Sequence, residues 1–104
     1  MFGIVIDYNF SGDEAAWREA IDTFLGHIDA DDRLKGRFSY QVNTCKEGPG
    51  RIHIGNWDDE TTLKHMQSQP YFPEFATKLK GFANGSLKST GFKCLGKTSG
   101  LSEL

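Results

Sequence analysis

The chain has 104 residues, 38% of them hydrophobic and 25% charged, with a formal net charge of −2. This composition predicts one globular domain, and the near-neutral charge gives no electrostatic reason to expect nucleic acid or an anionic membrane as a partner. The sequence has neither a run of about 20 apolar residues nor a basic N-terminal leader, so we expect no membrane span and no secretory signal. Cys45 and Cys94 form no C-x-x-C motif. Two separate reduced thiols are typical of a cytoplasmic protein.

The first two predicted elements are a strand and an amphipathic helix. Residues 2–10 alternate between apolar and more polar positions, which is typical of a strand. The apolar face carries Phe2, Ile4, Ile6, Tyr8 and Phe10. Ser11 with Glu14 three residues later matches a capping box and predicts the start of the helix. Apolar residues then recur at helical spacing: Trp17, Ala20, Ile21, Phe24, Leu25 and Ile28.

The middle of the chain predicts a β-hairpin. Residues 36–46 and 51–57 each alternate, and residues 47–50 (EGPG) have the composition of a turn. In the second of these strands, His53 and Trp57 share one face while Ile52 and Ile54 share the other. We assign the more apolar face of each strand to the helices. His53 and Trp57 are therefore expected on the uncovered face of the sheet.

A second helical region follows the acidic residues 58–60, which suit a helix N-terminus. Pro70 cannot continue a helix, so it divides this region before a further apolar stripe that ends at residues 84–85 (Asn-Gly). Residues 86–95 have the pattern of a last strand. We assign residues 1–96 to the domain and residues 97–104 to a C-terminal tail that frays or lies on a partner subunit.

The element order β-α-β-β-α-β predicts an α+β, ferredoxin-like fold, in which a four-stranded antiparallel sheet carries two helices on one face. Strands two and four would form the edges, so Cys45 and Cys94 would lie about 14 Å apart, too far for a disulfide. On the uncovered face, Val5 and Trp57 among short uncharged polar residues favour a buried surface. We therefore expect a homodimer in which two sheets stack.

Three residues have the most conspicuous side-chain chemistry. Trp57 suits a core, a dimer interface or a stacking contact with a flat aromatic molecule. His65, in the second helical region, suits either a partly exposed helix position or a pocket where an imidazole transfers protons near neutral pH. For His53 we favour a hydrogen-bonded histidine at the interface.

Amide side chains supply a further set of candidates. Asn9 and Asn43 could donate hydrogen bonds to a substrate oxygen, or they could be interface amides. His27, His53 and His65 lie on separate elements without ligand spacing, so we expect no metal site. The sequence contains no Walker, G-x-G-x-x-G or G-x-S-x-G pattern.

Residues 57–60 (WDDE), Leu63, His65, residues 69–72 (QPYF) and Phe75 together resemble the antibiotic biosynthesis monooxygenase family of the dimeric α/β-barrel superfamily. In that family, a strand ending in an aromatic residue leads into a helix that carries a leucine, a histidine and two phenylalanines. The intervals differ slightly, because Leu63 precedes His65 by two residues. The resemblance covers about residues 2–95 and implies a homodimer with the ferredoxin-like fold.

The resemblance also implies a function, a small cofactor-independent monooxygenase that acts on a phenolic or quinol-type aromatic molecule. The expected catalytic residues are His65 and Trp57, and the expected substrate-binding residues are Asn9, Asn43, His53, Phe72 and Phe75. One alternative is a haem-binding or haem-degrading protein, which would use an asparagine (Asn9 or Asn43) with Trp57 and His65. Another is a non-enzymatic ligand-binding or stress-response dimer.

Overall fold

The computed structural model describes residues 1–100. Its elements in chain order are β1 (Phe2–Asn9), α1 (Glu14–Asp29), β2 (Phe38–Thr44), β3 (Gly50–Trp57), α2 (Glu60–Gln67), α3 (Tyr71–Ala83) and β4 (Lys88–Lys93). The strands form one antiparallel sheet in the order β2-β3-β1-β4. This confirms the predicted ferredoxin-like fold, with β2 and β4 at the edges and the second helical region divided into α2 and α3.

The start of α1 differs from the prediction. The helix begins after Asp13, whose carboxylate accepts a hydrogen bond from the Ala16 amide at 3.2 Å. The predicted capping box that starts at Ser11 is therefore wrong. Gly12, at φ +128°, turns the chain between Ser11 and the helix, a conformation that favours glycine. The Ser11 amide instead donates to the carbonyl of Phe82 at 2.8 Å.

Pro70 separates α2 from α3, as the sequence predicts. The Asp59 carboxylate caps α2 by accepting a hydrogen bond from the Thr62 amide at 3.1 Å. At the end of α3, Asn84 and Gly85 adopt φ values of 47° and 85°. Left-handed residues of this kind are typical of helix C-termini, because they end the helical hydrogen-bond pattern while satisfying its last carbonyls.

The hydrophobic core lies between the helices and one face of the sheet. Its buried members include Tyr8, Trp17, Ile21, Phe24, Ile28, Leu34, Phe38, Met66, Phe75 and Leu79. Phe24 of α1 and Phe75 of α3 stack with ring centroids 3.8 Å apart and ring planes 5° apart. Burying a side chain of this size stabilises the fold by about 1.5–3 kcal/mol. The two long helices are thus joined to each other through aromatic rings.

The strand register corrects the predicted faces of β3. Phe2 pairs with Trp57 and Ile6 pairs with His53 across the β1–β3 ladder. Directly paired residues share a face, so Trp57 and His53 lie on the helix-covered side of the sheet and the predicted assignment is wrong. A shift of one residue exchanges the two faces of a strand. Apolar content alone predicts the wrong face of β3. The inward face carries polar side chains whose hydrogen-bond partners lie within the core.

The uncovered face of the sheet carries a mixed apolar and amide surface. Ile54 pairs with Val5 on β1 and with Gln41 on β2, so these three side chains lie side by side on that face. The Gln41 amide donates to Asn43 at 2.8 Å, and Asn43 donates to the Ile52 carbonyl at 3.1 Å. No helix or strand within residues 1–100 covers this surface.

The remaining predictions concern the chain end and the cysteines. Residues 97–100 form neither helix nor strand, and the rest of the predicted tail, residues 101–104, lies outside the described residues. Cys45 and Cys94 are both free thiols. Within the described part of the chain, no helix has both the length and the apolar content needed to cross a membrane.

Candidate functional site

A cavity of about 410 Å³ lies between the helix-covered face of the sheet and the helices α2 and α3. Its walls are mostly apolar, and they include Ile4, Phe38, Trp57, Leu63, Phe72 and Phe75. Ligand-binding pockets in proteins typically have volumes of about 300–1,000 Å³ and a predominantly apolar lining. The cavity therefore has the size and character of a site for a small organic molecule.

Two glycines flank Ile4 on the inner face of the sheet, and one of them, Gly91, lines the cavity. Gly55 on β3 and Gly91 on β4 are the direct partners of Ile4, so the inner face lacks side chains on either side of that residue. A Cβ at Gly55 would contact the Tyr40 ring at 3.1 Å, whereas a Cβ at Gly91 would meet only the Gly3 carbonyl, at 3.9 Å. Gly91 is thus the position at which the sheet leaves room beside Ile4 for the cavity.

The mouth of the cavity lies beside β4. Every residue of β4 is exposed, and Ser89 and Gly91 of this strand line the cavity. Gln67 at the end of α2 and Lys80 in α3 also line it, and both are exposed. A ligand that enters from this edge would pass one lysine ammonium before it reaches the aromatic interior.

The structure brings three of the predicted site residues together in this cavity. Trp57, at the end of β3, lines it and stacks on Phe38 with ring centroids 6.1 Å apart and planes 11° apart. Phe72 and Phe75, in the first two turns of α3, line the same space. The three rings form an aromatic wall against which a flat molecule can pack.

Behind the cavity runs a buried chain of hydrogen bonds. The Trp17 indole N–H donates to the Tyr8 hydroxyl at 2.8 Å. The same hydroxyl lies 2.8 Å from Nε2 of His53, and the Tyr40 hydroxyl lies 2.8 Å from Nδ1 of His53. Since Tyr40 also lines the cavity, the chain connects α1 through β1, β3 and β2 to the cavity wall.

Burial keeps each titratable side chain of this hydrogen-bond chain uncharged. His53 is fully buried, and this burial lowers its pKa to about 4, so the imidazole is neutral at pH 7. Burial raises the pKa of Tyr8 and of Tyr40, so both remain protonated phenols. The predicted substrate-binding residue His53 thus lies behind Tyr40, with both ring nitrogens engaged.

Arg51 holds the Trp17 end of the hydrogen-bond chain in place. Its guanidinium lies 4.6 Å from the Trp17 ring centroid and 4.8 Å from the Phe10 ring centroid, distances typical of cation–π contacts. Its Nη2 lies 2.8 Å and 3.1 Å from the two carboxylate oxygens of Glu14. The Glu14 side chain is 65% exposed, so screening keeps the ion-pair contribution small. Arg51 therefore serves mainly to position the Trp17 ring, and its ion pair with Glu14 contributes little to stability.

His65 lies outside the aromatic cavity. It lines a separate, open cleft of about 660 Å³ together with Asp31, His27 and Tyr71, and its Nε2 lies 2.7 Å from the Asp31 carboxylate. Burial acts to raise the pKa of Asp31, but hydrogen bonds from His65 and a backbone amide outweigh it and lower that pKa. His65 and Trp57, the predicted catalytic pair, therefore belong to different depressions of the surface.

Asn9 and Asn43 lie on the uncovered face of the sheet, away from the cavity. Asn43 pairs with Ile52, and Asn9 pairs with Gly50, on the side opposite to His53. Neither amide lines the cavity. The two predicted substrate-binding asparagines are thus separated from Trp57 by the sheet itself.

Sequence reasoning did not find Tyr40, Tyr8 and Trp17 as members of the site. A signal was present, because Tyr8 and Tyr40 fall on the apolar faces of their strands and a buried hydroxyl requires a hydrogen-bond partner. His53 supplies that partner for both. With the correct face assigned to β3, these requirements would have pointed to the same cluster.

The residues present do not fit a haem group. The described cavity lining contains no histidine, His53 is engaged by two tyrosines, and His65 pairs with Asp31 in the other cleft. The asparagine, tryptophan and histidine expected for haem chemistry are not brought together. Residues 1–100 also contain no group of three or more His, Cys, Asp or Glu side chains arranged to hold a metal ion.

Comparison with solved structures finds the same fold in several proteins, some of which are named as antibiotic biosynthesis monooxygenases. Rv0793 from Mycobacterium tuberculosis matches with a TM-score of 0.76 and 14% identity, over 94% of this chain and 98% of the other. SnoaB, a cofactor-independent oxygenase from Streptomyces nogalater, matches with a TM-score of 0.74 and 14% identity, over 94% and 96%.

A third match is a Deinococcus radiodurans protein whose name assigns it to the antibiotic biosynthesis monooxygenases. It has a TM-score of 0.71 and 19% identity, over 94% of this chain and 95% of the other. No family model and no curated protein sequence matches the chain. At these identities the likeness is one of fold, and at that level the resemblance found in the sequence is confirmed.

Proposed function

We propose that this protein is a cofactor-independent monooxygenase that acts on a small phenolic or quinol-type aromatic molecule. The observation that carries the proposal is the apolar cavity walled by Trp57, Phe72 and Phe75, in a fold shared with a protein described as a cofactor-independent oxygenase. In such a reaction an electron-rich substrate supplies the electrons itself. A ring C–H para to a hydroxyl becomes a quinone carbonyl, and the second oxygen atom of dioxygen leaves as water.

The protein has a limited set of tasks in this chemistry. The aromatic wall would hold the ring flat and exclude water, which strengthens every polar interaction inside the cavity. Lys80 lies at the mouth and would stabilise a phenolate that arrives already ionised. Trp57 would contact the reacting ring directly, so it is the residue to which we assign the chemistry.

Oxygen consumption tests this proposal directly. Wild-type protein is mixed with a panel of 1-naphthols and 1,5-dihydroxynaphthalenes, which keep a hydrogen para to a hydroxyl, in an oxygen-electrode cell, with Trp57→Ala as the cavity variant. We expect uptake above the buffer rate for at least one substrate and a decrease of about tenfold or more in the variant, since the ring contact is lost. No uptake with the wild-type protein would contradict the proposal.

A second function, ligand binding without catalysis, is favoured by one observation. The described cavity lining includes no imidazole and no carboxylate. The side chains that most often act as a general base are therefore absent from this lining. A binding protein would take up the same aromatic molecules, with Trp57 as a contact, and would consume no oxygen. Calorimetric titration beside the oxygen measurement separates the two functions.

We also propose a homodimer formed through the uncovered face of the sheet. Val5 and Ile54 lie paired on this face beside hydrogen-bonded amides, and Phe92 of β4 is 36% exposed on the same side. A semi-apolar surface of this kind favours burial against a complementary surface. A second copy supplies that complement through two-fold symmetry.

A further inference from the structure

The buried hydrogen-bond chain has a defined direction. Trp17 can only donate, so its indole N–H makes the Tyr8 oxygen an acceptor. His53 is neutral at pH 7 because burial lowers its pKa to about 4, so one ring nitrogen donates and the other accepts. Two arrangements satisfy these conditions, and they differ in the direction of both tyrosine–histidine hydrogen bonds.

In the first arrangement, Nε2–H of His53 donates to Tyr8. The Tyr8 oxygen would then accept from both Trp17 and His53, its only side-chain partners among the described residues, and its own hydrogen would have no acceptor. Tyr8 is 3% exposed, so this hydrogen is largely shielded from bulk solvent. An unsatisfied buried donor of this kind is costly, and the arrangement is disfavoured.

In the second arrangement, Tyr8 donates to Nε2 of His53, and Nδ1–H donates to the oxygen of Tyr40. Every hydrogen at the closed end of the chain then has an acceptor. The one hydrogen left over belongs to Tyr40, which lines the cavity. The unused donor thus belongs to a residue of the cavity wall.

We infer that the Tyr40 hydroxyl donates a hydrogen bond to an oxygen atom of an aromatic ligand in the cavity, and that the Trp17–Tyr8–His53 chain sets this direction. The inference rests on the proposed role of the cavity as a ligand site, and it specifies the ligand class further. Aromatic molecules that present an acceptor oxygen, a ketone, quinone or phenolate, are matched to the site. Burial raises the pKa of Tyr40, so the hydroxyl keeps its proton.

The histidine tautomer is the first test, and it needs neither ligand nor activity. Nitrogen-15 NMR of the wild-type imidazole rings at pH 7 distinguishes a protonated from an unprotonated ring nitrogen. We expect His53 to carry its proton on Nδ1 and to show an unprotonated Nε2. A proton on Nε2 would mean that Tyr40 donates to His53, and the inference would be overturned.

Ligand affinity is the second test. The probes are 1-tetralone and tetralin, two bicyclic molecules that differ in one carbonyl group and do not react with the thiols of Cys45 and Cys94. The quantity compared is the ratio of the two dissociation constants, measured by equilibrium dialysis for the wild-type protein and for Tyr40→Phe. We expect the preference for the ketone to fall about three- to tenfold in the variant, as for the loss of one hydrogen bond.

Tyr71→Phe is the matched control. The Tyr71 hydroxyl is buried and has no hydrogen-bond partner within residues 1–100. Tyr71 also does not line the aromatic cavity, so the ratio should stay at its wild-type value. Tetralin binding by both variants verifies that the cavity is intact. An equal ratio in the wild-type protein and Tyr40→Phe would overturn the inference. A protein that binds the probes but consumes no oxygen would instead contradict only the proposed oxygenase activity.

Discussion

The Tyr40 hydroxyl lies 2.8 Å from Nδ1 of a fully buried histidine, His53, so a single hydrogen bond joins the wall of the cavity to the centre of the core. On its other side, the same imidazole bonds to Tyr8. Removing the ring would remove one hydrogen-bond partner from each of the two tyrosine hydroxyls, Tyr8 and Tyr40. The stability of the fold and the chemistry of the cavity therefore depend on the same side chain.

We predict that His53→Ala destabilises the protein by about 2–5 kcal/mol, because it removes one hydrogen-bond partner from each of two tyrosine hydroxyls and opens a cavity. The measurement is urea unfolding followed by circular dichroism. His27→Ala, at an exposed histidine of α1, is the control and should change stability by less than about 1 kcal/mol. Equal effects of the two substitutions would show that the hydrogen-bond chain contributes nothing.

We predict that stability decreases as the pH falls from about 6.5 to about 4. The folded-state pKa of His53 is lowered to about 4 from the ordinary 6.5 by burial. In this window the unfolded chain binds a proton that the folded chain does not, so acid favours unfolding. The loss attributable to His53 reaches about 3 kcal/mol at the lower end. The free energy of unfolding is measured at pH 7.0 and at pH 4.5. The difference between the two values should be smaller for His53→Leu than for the wild-type protein.

We predict that Gly91→Leu closes the cavity while the fold is kept. A Cβ at this position meets only the Gly3 carbonyl, at 3.9 Å, and the side chain would extend into the cavity beside Ile4. We expect tetralone affinity to fall about tenfold or more, with thermal stability unchanged or increased by the added apolar contact. The matched control is Thr90→Leu, since Thr90 pairs with Val5 on the opposite face. A Gly91→Leu protein that binds as wild type would place the ligand elsewhere.

We predict that His65→Ala affects stability more than function. The Nε2–carboxylate contact of His65 and Asp31 at 2.7 Å ties α2 to the segment after α1. Its loss should cost about 1–3 kcal/mol, as for hydrogen bonds that involve a charged group. Oxygen uptake and tetralone binding, measured at a temperature where the variant is folded, should stay within about twofold of wild type. A loss of uptake as large as that of Trp57→Ala would assign His65 to the chemistry after all.

We predict that Ile54→Asp converts a dimer to a monomer. Ile54 lies at the middle of the uncovered face, paired with Val5 and Gln41, and a carboxylate there would be buried unpaired in the dimer. Sedimentation velocity at micromolar concentration measures the change. Lys78→Glu, on the exposed side of α3, alters charge without touching this face. A wild-type protein that sediments only as a monomer would contradict the proposed dimer.

The fold could be predicted because its signals are local. Alternation with a period of two, helical spacing of apolar residues, and the interruption at Pro70 each depend on near neighbours along the chain. Antiparallel pairing then followed from the element order. The capping error at Ser11 is of another kind, since the turn at Gly12 places Asp13 at the cap. Several residue types can cap a helix, and the sequence offered two of them within three positions.

The candidate site was only partly predictable because it depends on strand register. The sequence singled out Trp57, Phe72 and Phe75, which line one cavity, but their grouping with His65 came from spacing along the chain. The inward face of β3 carries His53, while the outward face carries Ile52 and Ile54. An apolarity rule therefore selects the wrong face. The polar inward face is stabilised by hydrogen bonds to side chains of β1 and β2. Partners so far apart in the sequence cannot be recognised from any one segment.

The gap at Gly91 gives the cavity an adjustable depth. Its wall at this point belongs to an edge strand and is independent of the buried chain behind Tyr40. Alanine, valine and leucine at position 91 would therefore shorten the accessible space in steps, each reachable by a few nucleotide changes. Variants of this protein with those residues would form a graded series in the length of ligand that they accept, while the Tyr40 side chain in the cavity wall stays the same.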